Sequence, residues 1–186
     1  LILRTDTLPN FLTVNIEPQV IAPKTVGKIE IEFDAVKRND YGYVADEINL
    51  IAISDTLVVN KMFVSGNIAE YFPDTIDLEK APKAVLSSPE TVNLGTVFTS
   101  TPKEALFKIK NEGIKNLIIR KISSPCSCIQ IQTISGKEIK SGEELVFTAT
   151  LDGKGRKKGN VTKSFYIYVN DPKNSILQFR VKASFR

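Results

Sequence analysis

Cys126 and Cys128 are the residues with the most chemistry open to them, and they stand two positions apart. Thiols at that spacing can close a disulfide, exchange with other thiols or enter a metal site. On an extended strand both side chains fall on one face, with Cα atoms about 6.5 Å apart, near the upper limit for a direct bond. Closing it requires a kink, which Pro125 and Ser127 allow. Four readings stay open: small buried core thiols, a strained disulfide, a metal or redox site, and pairing with another chain. Two thiolates supply half of a tetrahedral zinc site, and the chain has no histidine to complete it. The expectation is a disulfide or a pair of buried thiols that binds no metal and does no redox chemistry.

A second cluster is Asp152-Gly153-Lys154-Gly155-Arg156-Lys157-Lys158-Gly159, the most basic segment of the sequence. Its three glycines place it in a loop. A phosphate-cradling loop needs a strand leading in and a helix leading out, so that backbone N–H groups converge on the anion. Here Ser164 to Val169 reads as a strand. Lys154, Arg156, Lys157 and Lys158 are therefore read as the tip of a solvated hairpin that attracts anions, and not as a nucleotide site. The acidic residues Asp34, Asp40, Asp46 and Glu47 lack the spacing of a calcium loop. Tyr41 and Tyr43 flank Gly42, too far from other aromatics to form a stacking platform for nucleic acid, and Tyr41 reads as a packing residue at a strand corner. With histidine and tryptophan both absent, the commonest general acid or base is missing. No catalytic, cofactor-binding or metal-binding residue is assigned, no cofactor is expected, and no nucleic acid partner is proposed.

The elements that position these residues are strands. In Lys28-Ile29-Glu30-Ile31-Glu32-Phe33-Asp34, apolar and acidic residues alternate, which sends them to opposite faces of a half-buried strand. The same period recurs at Phe11 to Ile16, Ile48 to Ile53, Met62 to Ile68, Ala105 to Ile109, Leu117 to Ile122, Leu145 to Leu151, Ser164 to Val169 and Leu177 to Phe185. No window of similar length keeps a helical stripe. Strands at this spacing predict an all-β fold built of sandwiches. No stretch has the roughly 18 to 20 apolar residues of a transmembrane helix, and the first residues lack the order of a signal peptide.

The halves of the chain are related. Ile2-Leu3-Arg4 with Pro9 matches Ile118-Ile119-Arg120 with Pro125, Phe33-Asp34 matches Leu151-Asp152, and Gly42 matches Gly159, at offsets of 116, 118 and 117. A period that drifts so little implies tandem domains. Residues 1–72 are expected to form a partial copy, 73–84 a linker with two prolines, and 85–186 a complete sandwich of about seven strands. Phe107, Ile109, Leu117, Ile119, Phe147, Ala149, Leu151, Phe165, Ile167 and Val181 should be buried in it. The first copy has nothing equivalent to Val85 through Asn116. Ile29, Ile31, Phe33, Ile48 and Leu50 are then expected to need cover, from a longer N-terminus or from a second chain in a homo-oligomer. Charge divides along the same line: residues 1–80 hold 7 basic and 13 acidic residues, net −6, and residues 81–186 hold 18 and 8, net +10. This fits either an anionic partner or solvated faces that attract one another.

The successive motifs Asn93-Leu94-Gly95-Thr96-Val97, Phe107 through Gly113 with Asn116 to Ile119, Ser124-Pro125-Cys126-Ser127-Cys128, Ile139 through Glu143, and Val169-Asn170-Asp171-Pro172 resemble the bacterial family called domain of unknown function 1573. That family is similar to immunoglobulin-like domains of the hydin type. Ser127, Ile129 and Ser141 stand where the family usually has glycine, threonine and proline, and the first copy has Asn10 and Leu12 in register with the cysteines. The resemblance implies a secreted, periplasmic or lipid-anchored protein of a Gram-negative envelope, without an established activity. The expected role is non-catalytic: a structural or binding module presenting β-sandwich surfaces to a protein or glycan partner. The alternative is an accessory region of a larger envelope enzyme or assembly.

Overall fold

Alternating sequence becomes strand throughout the computed structural model, which describes residues 1–186 as fourteen strands and one four-residue helix. The chain divides into two units, Leu1–Ala69 and Glu70–Arg186. No helix is long and apolar enough to cross a membrane.

The first unit contains β1 (Ile2–Thr5), β2 (Leu12–Glu17), β3 (Lys28–Phe33), α1 (Ala35–Arg38), β4 (Gly42–Ile53) and β5 (Leu57–Ile68). One sheet has the order β1-β4-β5 and the other pairs β2 with β3. The single turn of α1 is capped by Asp34, whose Oδ1 accepts the Lys37 N–H at 3.0 Å, and ends at Asn39 in the left-handed region, φ 47°. The Lys37 N–H, followed by the Lys37 side chain, holds the Asp34 carboxyl below its ordinary range. Leu12, Ile16, Val44 and Ile48 are buried. Ile29, Ile31 and Phe33 face the predicted way but are only half-buried. Tyr41 is half-buried beside the buried Gly42, while Tyr43 is exposed.

The second unit contains β6 (Ala84–Leu86), β7 (Thr91–Val97), β8 (Lys103–Asn111), β9 (Leu117–Ser123), β10 (Ile129–Ile131), β11 (Glu138–Ile139), β12 (Glu144–Leu151), β13 (Gly159–Val169) and β14 (Ile176–Phe185). Two sheets, β10-β12-β8-β6 and β11-β9-β13-β14-β7, enclose one core. All ten residues predicted to be buried are at most 1% exposed. At its centre Phe107 and Phe147 are direct cross-strand partners in one sheet, and Phe165 and Phe179 are partners in the other. Each pair stacks, at 5.9 and 5.2 Å between centroids, and the pairs meet edge to face, Phe107 to Phe179 at 5.1 Å and Phe147 to Phe179 at 5.5 Å. Aromatic contacts of this kind contribute about 0.5–1.5 kcal/mol each beyond area burial. The unit has nine strands where about seven are expected, and the short β6, β10 and β11 carry no alternation long enough to read.

Strand pairing in the first unit repeats that of the second. β1-β4-β5 corresponds to β9-β13-β14, and β2-β3 to β10-β12. The segment 73–84, expected to be a linker, lies in the second unit, and its end is fixed there. Ala81 and Ala84 are buried, the Glu112 N–H donates to the Lys83 carbonyl at 2.8 Å, and the Ala84 N–H donates to Asp171 at 2.8 Å.

Candidate functional site

The strands of the second unit end in two groups of loops, and the sequence motifs sort between them. At one pole, Asn111 is 0% exposed. Its Oδ1 accepts the N–H groups of Lys83 and Gly113 at 3.2 and 2.9 Å, and its Nδ2 donates to the carbonyls of Lys115 and Ile139 at 2.8 and 2.9 Å. Asp171, 3% exposed, accepts from Ala84 and Lys173. Asn170 accepts the Ile118 N–H at 2.7 Å and donates to the Asn116 carbonyl at 3.2 Å. Gly113 passes so close to the chain at 81–83 that a Cβ would lie 2.3 Å from the Ala81 carbonyl oxygen. Asn111 has both donors and both acceptor positions filled by backbone, and Asn170 and Asp171 are bonded to backbone beside it.

The opposite pole carries both candidate clusters. The β9–β10 connection holds Ser124 through Cys128, and the β12–β13 connection holds Asp152 through Lys158. A turn, not a strand, runs through Ser127: Ser124 Oγ donates to the Cys126 carbonyl at 3.0 Å, and the Ile129 N–H donates to the same carbonyl at 3.2 Å. This brings the cysteine Cα atoms to 5.2 Å, and the pair is bonded as a disulfide. The extended spacing expected from the sequence does not hold, because the chain turns between Cys126 and Ile129. Cys128 is 2% exposed and packs in the core, whereas Cys126 is half-buried.

Backbone and side chain both tie the basic loop to the cysteine loop. The Asp152 N–H donates to the Cys128 carbonyl at 2.8 Å, and Arg156 Nη2 donates to Ser127 Oγ at 2.8 Å. Asp152 turns its Oδ1 to the Lys154 N–H, and Gly155 takes a φ of 70°, which suits glycine. Lys154, Arg156, Lys157 and Lys158 are all exposed. Sequence reasoning named these two loops but had no means of joining them. Across β7, β14 and β13 of the same sandwich lies a groove of about 510 Å³ whose lining includes the polar Asn93, Thr96, Asn160, Thr162, Lys182 and Ser184. No three or more carboxylate or cysteine side chains gather as metal ligands. The carboxylates held below their ordinary range lie elsewhere. Asp77 is lowered chiefly by the Lys80 side chain, and Glu144 by the Ser87 hydroxyl and then by Lys108.

Two facing sheets around a phenylalanine core define an all-β protein with an immunoglobulin-like sandwich. The chain belongs to the family described as protein of unknown function (DUF1573), whose model matches residues 86–184. Among solved structures it is similar to a protein of unknown function from Porphyromonas gingivalis W83, at 18% identity and a TM-score of 0.68, covering 98% of this chain and 83% of that one. A PapD-like domain of human CEP192 gives 13% identity and a TM-score of 0.46 over 64% of this chain and 94% of its own. The Vibrio cholerae VesB protease gives 12% and 0.44 over 53% of this chain and 31% of its own. No curated protein matches the sequence.

Proposed function

We propose that the chain is a non-catalytic binding module of the bacterial cell envelope, and that the pole bearing the basic loop meets an anionic protein or glycan surface. One observation carries this reading. Four exposed cations, Lys154, Arg156, Lys157 and Lys158, project from a loop anchored to a disulfide-closed neighbour. Clustered charge on an ordered support raises the local concentration of an opposite partner. The adjoining polar groove offers amide and hydroxyl groups of the kind that hydrogen-bond sugars. The disulfide supports a place outside the cytoplasm, where such bonds persist. The repeated strand pairing supports reading residues 1–72 as a partial copy of the same domain.

Binding of the full chain to peptidoglycan sacculi and to vesicles containing lipopolysaccharide tests the proposal. Retention that falls with salt, and is lost in the triple variant Lys154→Glu, Lys157→Glu, Lys158→Glu, is the expected result. Retention unchanged by charge reversal, or a chain recovered only from the cytoplasm on fractionation, overturns it.

A further inference from the structure

The two sulfurs of the cysteine loop are unequal. Cys128 sits in the core at 2% exposure, one residue before β10. Cys126 is half-buried between the exposed Pro125 and Ser127, and its Sγ receives the Cys128 backbone N–H at 3.3 Å. An N–H aimed at a sulfur favours its anionic form, as does nearby positive charge. That charge is present. The Arg156 guanidinium is held at 2.8 Å on the hydroxyl of Ser127, the residue between the two cysteines, and Lys154, Lys157 and Lys158 follow on the same loop. The one carboxylate of that loop, Asp152, is engaged by the Lys154 N–H.

We propose that Cys126–Cys128 is an exchangeable disulfide, in which Cys126 is the sulfur that meets an external low-molecular-weight thiol or disulfide and Cys128 resolves the adduct. In the reducing direction an external thiolate attacks Cys126 Sγ. The bond to Cys128 breaks, its electron pair leaves on Cys128 Sγ, and that sulfur takes a proton from solvent. A second thiolate then attacks the external sulfur of the mixed disulfide, releasing the Cys126 thiolate. The sum is one protein disulfide and two thiols giving one protein dithiol and one small disulfide. In reverse, the Cys126 thiolate attacks the small disulfide and Cys128 displaces the adduct. The expectation of no redox chemistry rested on a strand, where the two sulfurs are alike. The turn makes one reachable and the other buried.

This exchange does not depend on what the basic loop binds, so the two ideas fail separately. The test uses the full chain carrying Cys128→Ser or Cys126→Ser, incubated with oxidised glutathione at pH 7 and followed by intact mass. Lowering a thiol pKa raises its thiolate fraction at neutral pH by more than it lowers the thiolate's nucleophilicity, and Cys128 is only 2% exposed. Cys128→Ser should therefore form its mixed disulfide severalfold faster than Cys126→Ser. Adding Arg156→Gln to Cys128→Ser should slow it severalfold at pH 7, with the rates converging above about pH 9.5, where the thiol is ionised regardless. Thermal melts of each variant establish that it is folded. The unsubstituted chain, alkylated after equilibration with mixtures of reduced and oxidised glutathione, should interconvert reversibly while folded. Equal rates for the two single variants overturn the proposal, as does a disulfide that stays closed in reduced glutathione until the chain unfolds.

Discussion

Replacing Asn111 by alanine removes four hydrogen bonds at once from a side chain that is 0% exposed. At about 1 kcal/mol net for each, the loss is roughly 4 kcal/mol, reduced where water enters the vacated space. Against a typical stability of about 5–15 kcal/mol, N111A should still fold at 25 °C but unfold at clearly lower urea concentration. N111D separates hydrogen bonding from volume. It keeps an acceptor for Lys83 and Gly113 but turns a carboxylate oxygen toward the carbonyls of Lys115 and Ile139, which accept and do not donate. The charged form is disfavoured in the folded state, so the folded pKa rises above the unfolded value of about 3.9. A carboxyl with a raised folded pKa incurs no charge penalty below the unfolded value, and the penalty grows as pH rises from there to the folded value. N111D should therefore lie closest to the unsubstituted chain near pH 4 and furthest from it at pH 7. Urea titrations by circular dichroism at both pH values measure this. An N111A cost under about 1 kcal/mol, or an N111D deficit equal at the two pH values, refutes the assignment of this side chain as the clamp of the pole.

Three further outcomes are expected. In G113A the new Cβ falls 2.3 Å from the Ala81 oxygen, 2.4 Å from the Lys83 nitrogen and 2.6 Å from the Pro82 carbonyl carbon, all backbone. It should cost at least about 3 kcal/mol and open residues 81–83 to proteolysis, while G66A, with nothing within 4 Å, should be near neutral. The Asp34 carboxyl, lowered mainly by the Lys37 N–H, should titrate below 3.8 by NMR, so that its capping contribution is present above 3.8 and lost as pH falls through the folded value. A midpoint at or above 3.8 contradicts the cap. Finally, β5 pairs only with β4, and its Val58, Val59 and Phe63 are 48%, 51% and 66% exposed. Sedimentation should detect self-association that V59K weakens, and a single monomeric species at all concentrations counts against the homo-oligomer.

Much of the fold was legible because a period of two leaves little freedom. Once Phe107, Phe147, Phe165 and Phe179 occupy inward positions, the sheets that carry them must face one another. What stayed illegible has physical causes. β6 and β10 are three residues long and β11 two, below the length at which alternation is visible. The end of the 73–84 segment is fixed at 83 and 84 by contacts to Asn111 and Asp171, 28 and 87 residues away, which no local pattern reports. The cysteine pair was read on strand geometry because a strand precedes it. The turn that closes the disulfide depends on bonds made by Ser124 and Ile129 to one carbonyl.

The motifs that carry the family resemblance do different work at the two poles. Asn111, Gly113, Asn170 and Asp171 are polar or special residues of the kind that mark chemistry in other proteins, yet each has its hydrogen-bonding groups or its missing Cβ used by neighbouring backbone. A group already saturated by fixed partners, as Asn111 is, has no donor or acceptor to offer a ligand. Ser124 through Cys128 differs. Its turn is satisfied internally, but it presents an accessible sulfur and a hydroxyl that already recruits a cation from the neighbouring loop. We therefore propose the cysteine pole as the place of function, since motif residues remain reachable there after the fold has taken what it needs.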